Sequence, residues 1–102
     1  MMAKELKVGG RMNVDTLKKR FKETFGVNIR VYNGARFAQD KATLASIRAD
    51  DAKGGEFSIH GRTKVGKVEK EFKEKMGIKI QVENAQGELA DDDISLSQAS
   101  KS

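Results

Sequence analysis

The chain has 102 residues, a length that predicts one compact domain with a modest hydrophobic core. It contains no Cys, Pro or Trp, which excludes a disulfide scaffold, a thiolate metal site and a cysteine nucleophile. Lysine and arginine outnumber aspartate and glutamate by 20 to 15, so the formal net charge is +5.

The N-terminal part of the chain predicts a strand followed by a helix. Leu6 and Val8 alternate with polar residues, as in a half-buried strand. The next segment predicts a helix, because four apolar residues share one side of a helical wheel. These residues are Val14, Leu17, Phe21 and Phe25. We expect Asn13 to be the N-cap of this helix and Gly26 to end it in a left-handed conformation.

Further short elements follow the first helix. Alternation resumes and predicts strands over residues 27–31 and 36–38. Between them, Asn33 and Gly34 form the residue pair most common in type I′ hairpin turns. An aspartate is then expected to cap a short helical turn over residues 40–47.

The main feature of the sequence is an internal repeat, in which residues 6–36 align with residues 57–87 at an offset of 51. Eleven of the 31 aligned pairs are identical. They are Gly10/Gly61, Arg11/Arg62, Val14/Val65, Lys19/Lys70, Phe21/Phe72, Lys22/Lys73, Glu23/Glu74, Gly26/Gly77, Ile29/Ile80, Val31/Val82 and Asn33/Asn84. After a one-residue insertion in the second copy, further matches follow at Ala38/Ala90, Asp40/Asp92 and Leu44/Leu96.

We interpret the chain as a tandem duplication within a single domain, residues 1–102. The first copy covers residues 4–50, the second covers residues 55–99, and residues 100–102 are expected to be a frayed tail. Residues 50–55 (DDAKGG) are the expected linker. In the second copy, we expect Thr63 to be the N-cap of the longer helix and Gly77 to end it.

The predicted fold class is α+β. Each unit is a strand–helix–strand followed by a short strand and a short helix. The two units form one two-layer sandwich, in which a sheet is packed by two helices. A copy of about 50 residues is too small to hold a core alone, so we expect the two copies to share one.

Three resemblances add to this interpretation. The segments GRMNVDTLKKRFKETFGV, FAQDKATLASI and HGRTKVGKVEKEFKEKMGIKIQV resemble a family of short bacterial proteins without an assigned activity. That resemblance covers most of the chain and implies no catalytic or binding residues. The run from VDTLKKRF to TLASI resembles the latter part of a β-grasp, ubiquitin-like domain, and the duplicated strand–helix–strand resembles a ferredoxin-like sandwich. The segment between Tyr32 and Glu56 is longer than the usual ferredoxin-like hairpin.

The sequence offers little that could support catalysis or metal binding. His60 is the only histidine, and a catalytic or metal-ligating role would require further ligands or a carboxylate pair brought in by the fold. Glu88 and the acidic run 91–93 lack the ligand spacing and mid-loop glycine of an EF-hand. We therefore expect no enzymatic activity, no cofactor and no metal.

The positive charge is concentrated in the first half of the sequence. Residues 1–51 have a net charge of +5 and residues 52–102 a net charge of zero. Lys18 and Arg20 of the first helix become Glu69 and Glu71 in the second. The candidate interaction surface therefore consists of Lys18, Lys19, Arg20 and Lys22, with Arg11, Arg30 and Arg36 as outer members.

Three roles are open to this basic surface. It could contact a protein, including a second copy through the Glu69 and Glu71 face. It could bind nucleic acid, although the exposed strand positions offer only Tyr32 as a stacking platform. It could also serve solubility alone. We favour a non-catalytic protein-interaction module, with nucleic-acid binding through the basic helix face as the alternative. No apolar run approaches the ~20 residues that span a bilayer, so we expect a soluble cytoplasmic protein with no membrane partner.

Overall fold

The structure of the protein is a computed structural model that describes residues 5–47 and 56–101. Its elements are β1 (Glu5–Val8), α1 (Val14–Phe25), β2 (Ile29–Asn33), β3 (Arg36–Phe37), α2 (Leu44–Ile47), β4 (Phe57–His60), α3 (Val65–Met76), β5 (Lys79–Val82) and α4 (Leu96–Ala99). The α+β class is confirmed. The expected linker, residues 50–55, lies outside the described residues.

The strands form two antiparallel sheets. One contains β1 and β4, and the other has the order β3-β2-β5. The sequence interpretation had placed the strands in one sheet, and the observed arrangement differs. The reason is that the four longer strands pair with their counterparts in the other half of the chain, β1 with β4 and β2 with β5, whereas β3 pairs with β2 of its own half.

The registers of the two sheets share one internal symmetry. Lys7 faces Ser58 in the β1–β4 pair, and Arg30 faces Gln81 in the β2–β5 pair. Both pairs are separated by 51 residues, which is the offset of the sequence repeat. A single pseudo-two-fold axis through these two pairs therefore exchanges the halves. The tandem duplication that would explain this symmetry stays a prediction.

The short segments after the second strand of each half follow the same symmetry, with the one-residue insertion. The isolated bridge between Asn13 and Thr43 has its counterpart in the bridge between Lys64 and Ser95. These bridges keep the 40–44 and 92–96 segments against the starts of α1 and α3.

The starts of the two long helices are capped by backbone carbonyl groups. The amide of Val14 donates to the carbonyl of Ala42 at 2.9 Å, and that of Val65 donates to Ile94 at 2.8 Å. Neither N-cap residue makes a side-chain cap hydrogen bond. The N-cap of α3 is Lys64, so the prediction of Thr63 was wrong by one residue.

Both long helices end at a glycine, as predicted. Gly26 has φ of 74° and Gly77 has φ of 63°, a conformation that L side chains rarely adopt. At the end of α3, the amide of Ile78 also donates to the carbonyl of Phe72 at 3.3 Å. The amide of Gly77 itself donates to the carbonyl of Lys73 at 2.9 Å, which is the bond of the αL motif.

The hairpin turn and the short helices differ in detail from their predictions. Asn33 pairs with Arg36, so the two turn residues are Gly34 and Ala35, and only Gly34 has positive φ. A type I′ turn needs positive φ at both positions, so that prediction was wrong. The cap of α4 is Ser95, whose side chain accepts a hydrogen bond from the amide of Gln98. The aspartate expected to cap the short helix over residues 40–47 does not do so, because Oγ1 of Thr43 accepts the hydrogen bond from the amide of Ser46 at 3.2 Å.

A single hydrophobic core lies between the helices and the two sheets, and both halves contribute to it. The predicted apolar sides of α1 and α3 are confirmed: Val14, Leu17, Phe21, Phe25, Val65, Val68, Phe72 and Met76 are buried. Phe21 and Phe72, which are repeat equivalents, lie with ring centroids 6.4 Å apart. The shared core is consistent with copies that are too small to fold independently.

Candidate interaction surfaces

The residues of the predicted basic surface do not converge. Lys19, Arg20 and Lys22 are exposed on α1, and Arg11 is exposed just before it. Arg36 is exposed on β3. Arg30 lies on β2 between the buried Ile29 and Val31, so its side chain points away from the core that α1 packs against. The structure therefore divides the predicted set between the helix and the outer side of the three-stranded sheet.

Two of these basic residues are engaged in ion pairs. The Nζ of Lys18 is 3.1 Å from Oδ1 of Asp40. The Nε of Arg30 donates to Oε2 of Glu83 at 2.7 Å, and the Glu83 side chain is only 19% exposed. The hydrogen bond that Arg30 donates to this carboxylate raises the pKa of Arg30 and holds its guanidinium against the sheet.

The side of the three-stranded sheet that faces away from the core forms a continuous surface. We call it the outer sheet face. Its residues are Arg30 and Tyr32 of β2, Phe37 of β3, Lys79 and Gln81 of β5, and the bridge partners Glu83 and Leu89. Hydrogen bonds across this face join Arg30 to Glu83 and Tyr32 to Gln81 and limit the motion of these four side chains.

An aromatic stack occupies one end of the outer sheet face. The rings of Tyr32 and Phe37 are stacked, with centroids 5.0 Å apart and planes inclined by 21°. The hydroxyl of Tyr32 donates to Oε1 of Gln81 at 2.7 Å. The Nζ of Lys79 lies 5.3 Å from the centroid of the Tyr32 ring, within cation–π range. Tyr32 is thus fixed from three directions, and Phe37 rests on it.

Both large hydrophobic residues that are exposed in the described part of the chain belong to this face. Phe37 is 66% exposed and Leu89 is 49% exposed. They occupy equivalent positions, because Phe37 faces Tyr32, Leu89 faces Glu83, and Tyr32 and Glu83 are repeat equivalents. Phe37 is thus a second stacking residue beside Tyr32, which the strand pattern of the sequence does not indicate. Ala38 next to Phe37 is buried, so Phe37 points to the opposite, exposed side, but a two-residue strand does not reveal this in the sequence.

The acidic residues of α3 do not form the exposed acidic face that was expected for Glu69 and Glu71. Oε2 of Glu69 accepts a hydrogen bond from the amide of Val82 at 3.2 Å, so this carboxylate is turned towards the sheet. Burial and the nearby Asp92 raise the pKa of Glu69, while the Val82 hydrogen bond and Lys79 act in the opposite direction. The exposed residues of α3 are instead mostly basic: Lys67, Lys70, Lys73, Glu74 and Lys75. The face expected to receive the basic helix of a second copy therefore has less acidic character than predicted.

Little in the described residues points to catalysis. Nδ1 of His60 is 3.7 Å from Oε2 of Glu5, and both side chains are largely exposed. Residues 5–47 and 56–101 contain no group of three or more histidine, cysteine, aspartate or glutamate side chains that could hold a metal ion. None of the helices within those ranges is long and apolar enough to cross a membrane.

Because comparisons with known proteins find no match, the function of this chain has to be argued from its structure. No protein-family model, no curated protein and no solved structure matches this chain.

Proposed function

We propose that this protein is a non-catalytic protein-binding module that contacts its partner through the outer sheet face. The observation that supports this most strongly is the placement of Phe37 and Leu89, the two large hydrophobics that are exposed within residues 5–47 and 56–101, on the same face. Exposed apolar side chains grouped on one surface mark binding sites more often than scattered ones do.

The aromatic stack has the properties of a binding anchor. Aromatic residues and arginine dominate the energetics of protein interfaces, and they act best when they are ordered before binding. Tyr32 is held by Gln81 and Lys79, so the Phe37 ring it carries has a defined position. A partner that covers Phe37 would remove apolar surface from water at a small cost in conformational entropy.

The polar groups of the face define the chemistry of the partner. Lys79 makes no ion pair with any residue in the described ranges, whereas Arg30 is already neutralised by Glu83. We therefore infer a partner surface with apolar side chains opposite Phe37 and Leu89 and a carboxylate opposite Lys79. Nucleic acid fits this face less well, because its cations are few and one is paired.

The size of the face limits the kind of complex. Four neighbouring chain segments at about 4.8 Å spacing, each about four residues or ~14 Å long, give a face of roughly 200 Å², far below the ~800 Å² that each partner buries in a standard interface. A stable complex therefore has to include the two turns that border the face, at residues 34–35 and 84–88. A complex limited to the face itself would be transient.

Comparative capture tests the proposal. The wild-type chain and the double variant Phe37→Ser with Leu89→Ser are immobilised and exposed to nuclease-treated lysate of the source organism. The control is Lys19→Ser with Lys22→Ser on α1, which changes two exposed residues away from the face. We expect a protein retained by the wild type and the control but lost from the face variant. Equal retention by all three chains would contradict the proposal.

A further inference from the structure

A surface cleft at the start of α3 brings several cationic side chains together. We call it the α3 cleft, and the described residues that line it, none of them acidic, are His60, Arg62, Thr63, Lys64 and Lys67. Lys64 and Lys67 are about 60° apart around the helix and about 4.5 Å apart along its axis, so they border the same cleft. Lys70 and Lys73 do not belong to it, because the helix turns them towards Lys79, with which they line a separate cleft.

The cations of the α3 cleft are not neutralised by neighbouring side chains. Within residues 5–47 and 56–101, no ion pair joins Arg62, Lys64 or Lys67 to a carboxylate. His60 contacts a carboxylate at the rim, where its Nδ1 is 3.7 Å from Oε2 of Glu5. Three unpaired cations around one cleft repel one another, and an anion placed among them would relieve that repulsion.

The backbone beneath the α3 cleft is held in place by the segment that contains α4. The carbonyl of Gly61 accepts hydrogen bonds from the amide and from the hydroxyl of Ser97, both at 3.1 Å. The carbonyl of Thr63 accepts a hydrogen bond from the amide of Leu96 at 3.0 Å. These bonds fix the turn that carries Arg62, so its backbone position is set before a ligand binds. Such preorganisation lowers the entropic cost of binding.

The equivalent cleft of the first half has a different chemistry. The residues that line it are Gly9, Gly10, Arg11, Met12, Ala45 and Glu56. Arg11 is its cation, and Glu56 brings a carboxylate into the lining. Glu56 is the repeat equivalent of Glu5, and it reaches this cleft because Gly9 replaces His60: a Cβ at Gly9 would lie 3.4 Å from Cγ of Glu56. The first half forms the same strand, turn and helix without the extra cations, so the fold does not require them.

We propose that the α3 cleft binds a phosphate monoester group. The phosphate dianion has three terminal oxygens that accept hydrogen bonds. The cleft offers the guanidinium fork of Arg62, the ammonium groups of Lys64 and Lys67, and the hydroxyl of Thr63. A carboxylate has two oxygens and one charge, so it would use fewer of these donors and neutralise less of the charge.

The site is made by side chains and not by the end of the helix. The amides of Val65 and Gly66 already donate to the carbonyls of Ile94 and Asp92, at 2.8 Å and 3.0 Å. The α3 cleft also shares no residue with the outer sheet face, so this proposal stands apart from the proposed function. A small phosphate ester and a phosphorylated protein side chain present the same group, and the experiment separates them.

Amide chemical shifts in proton–nitrogen correlation spectra test the proposal. The full chain is titrated at neutral pH and constant ionic strength with inorganic phosphate, with glycerol phosphate and with a glycine-flanked phosphoserine peptide. We expect saturable shifts centred on residues 60–67 and none at the equivalent residues 9–16, with a dissociation constant of about 1 mM or below for the best probe. Tighter binding of the phosphopeptide than of glycerol phosphate assigns the ligand to a protein side chain, and the reverse order assigns it to a small phosphate ester.

Two double variants separate the cleft from the net charge of the chain. The test variant, Lys64→Asn with Lys67→Thr, installs the residues that the first half carries at the equivalent positions. The control, Lys19→Gln with Lys22→Gln, removes the same charge from the exposed side of α1. The test variant should bind at least about fivefold more weakly, and the control should stay within about twofold of the wild type. Equal weakening by both variants, or no saturable shift at residues 60–67 of the wild type, would overturn the proposal.

A single substitution keeps the test independent of the fold of the double variant. Arg62→Gln changes an exposed residue, and its matched control is Arg11→Gln at the equivalent position of the first half. The spectra themselves show whether each chain is folded. Arg62→Gln should weaken phosphate binding at residues 60–67, whereas Arg11→Gln should leave it unchanged. Wild-type affinity in folded Arg62→Gln would contradict the assignment.

Discussion

The ring of Phe37 stacks on the ring of Tyr32, with 5.0 Å between their centroids and 21° between their planes. Tyr32 pairs with Lys79 across the sheet and donates its hydroxyl hydrogen bond to Gln81. The exposed Phe37 ring therefore rests on Tyr32 of β2, a strand whose opposite side is buried in the core. The outer sheet face combines an apolar end with a rigid polar centre, and this combination favours binding over solubility as its role.

Replacing Phe37 by Ser should leave the protein folded. The side chain is 66% exposed, so the substitution removes little buried area and should lower the free energy of unfolding by less than about 1 kcal/mol. Phe21→Ala, which truncates a fully buried ring, should cost about 3–5 kcal/mol. Urea denaturation followed by circular dichroism measures both. A large loss of stability in Phe37→Ser would mean that the residue serves the fold.

Phe21 and Phe72 should be energetically coupled across the pseudo-two-fold axis. Their ring centroids are 6.4 Å apart and both residues are fully buried. A double-mutant cycle with Phe21→Leu and Phe72→Leu should give a coupling energy of about 0.5–1.5 kcal/mol. Leucine keeps the volume change small, so that the variants stay folded for denaturation measurements. Strict additivity would show that the two halves do not support each other at this contact.

Glu69→Gln should stabilise the protein at neutral pH and have no such effect in acid. The folded state raises the pKa of Glu69 above its ordinary value near 4.5, so the folded chain holds the proton to higher pH than the unfolded chain. Wild-type stability therefore falls as pH rises through that window. Glutamine keeps an acceptor for the Val82 amide but removes the charge. The gain at pH 7 should be up to about 0.5 kcal/mol, or roughly 2–4 °C in Tm.

The pH series itself provides the control for Glu69→Gln. The stability difference between the wild type and the variant should shrink as the pH falls below 4.5, where both side chains are neutral in either state. A constant difference across the series would assign the effect to packing and not to the charge.

Asp40 and Asp92 are repeat equivalents whose substitution should have opposite effects. Asp40 forms an ion pair with Lys18. In the second half, Glu69 occupies the position equivalent to Lys18 and lies near Asp92. Asp40→Asn should therefore cost about 0.2–1 kcal/mol, as exposed ion pairs do, and the cost should fall at high salt. Asp92→Asn should be neutral or slightly stabilising, because it removes a repulsion. Thermal unfolding of both variants at two salt concentrations tests this, and equal losses would contradict it.

The local elements of the fold could be predicted from the sequence. The apolar residues of α1 and α3 recur at helical spacing, and only glycine readily adopts the left-handed conformation found at Gly26 and Gly77. These features depend on neighbouring residues alone, which is why the pattern of the sequence reveals them.

The pairing of the strands could not be predicted in the same way. The contact between Arg30 and Gln81 joins residues 51 apart, and nothing in either strand alone specifies that partner. The exposed site was missed for a related reason. Phe37 lies in a two-residue strand, too short for alternation to show which side it faces.

Charge counting misjudged α3 because it ignores where side chains point. Glu69 counts as one acidic residue in the sequence, but in the fold its carboxylate accepts the hydrogen bond of the Val82 amide. What remains exposed on α3 is a surface richer in lysine than in glutamate.

The central claim is that the outer sheet face contacts a protein, and site-specific photo-crosslinking tests it most directly. A benzophenone amino acid replaces Phe37 in one chain and Lys19 in a control chain, and both are irradiated in nuclease-treated lysate of the source organism. The account predicts a discrete protein adduct at position 37 that is absent at position 19. No adduct at position 37, or the same adducts at both positions, would contradict it.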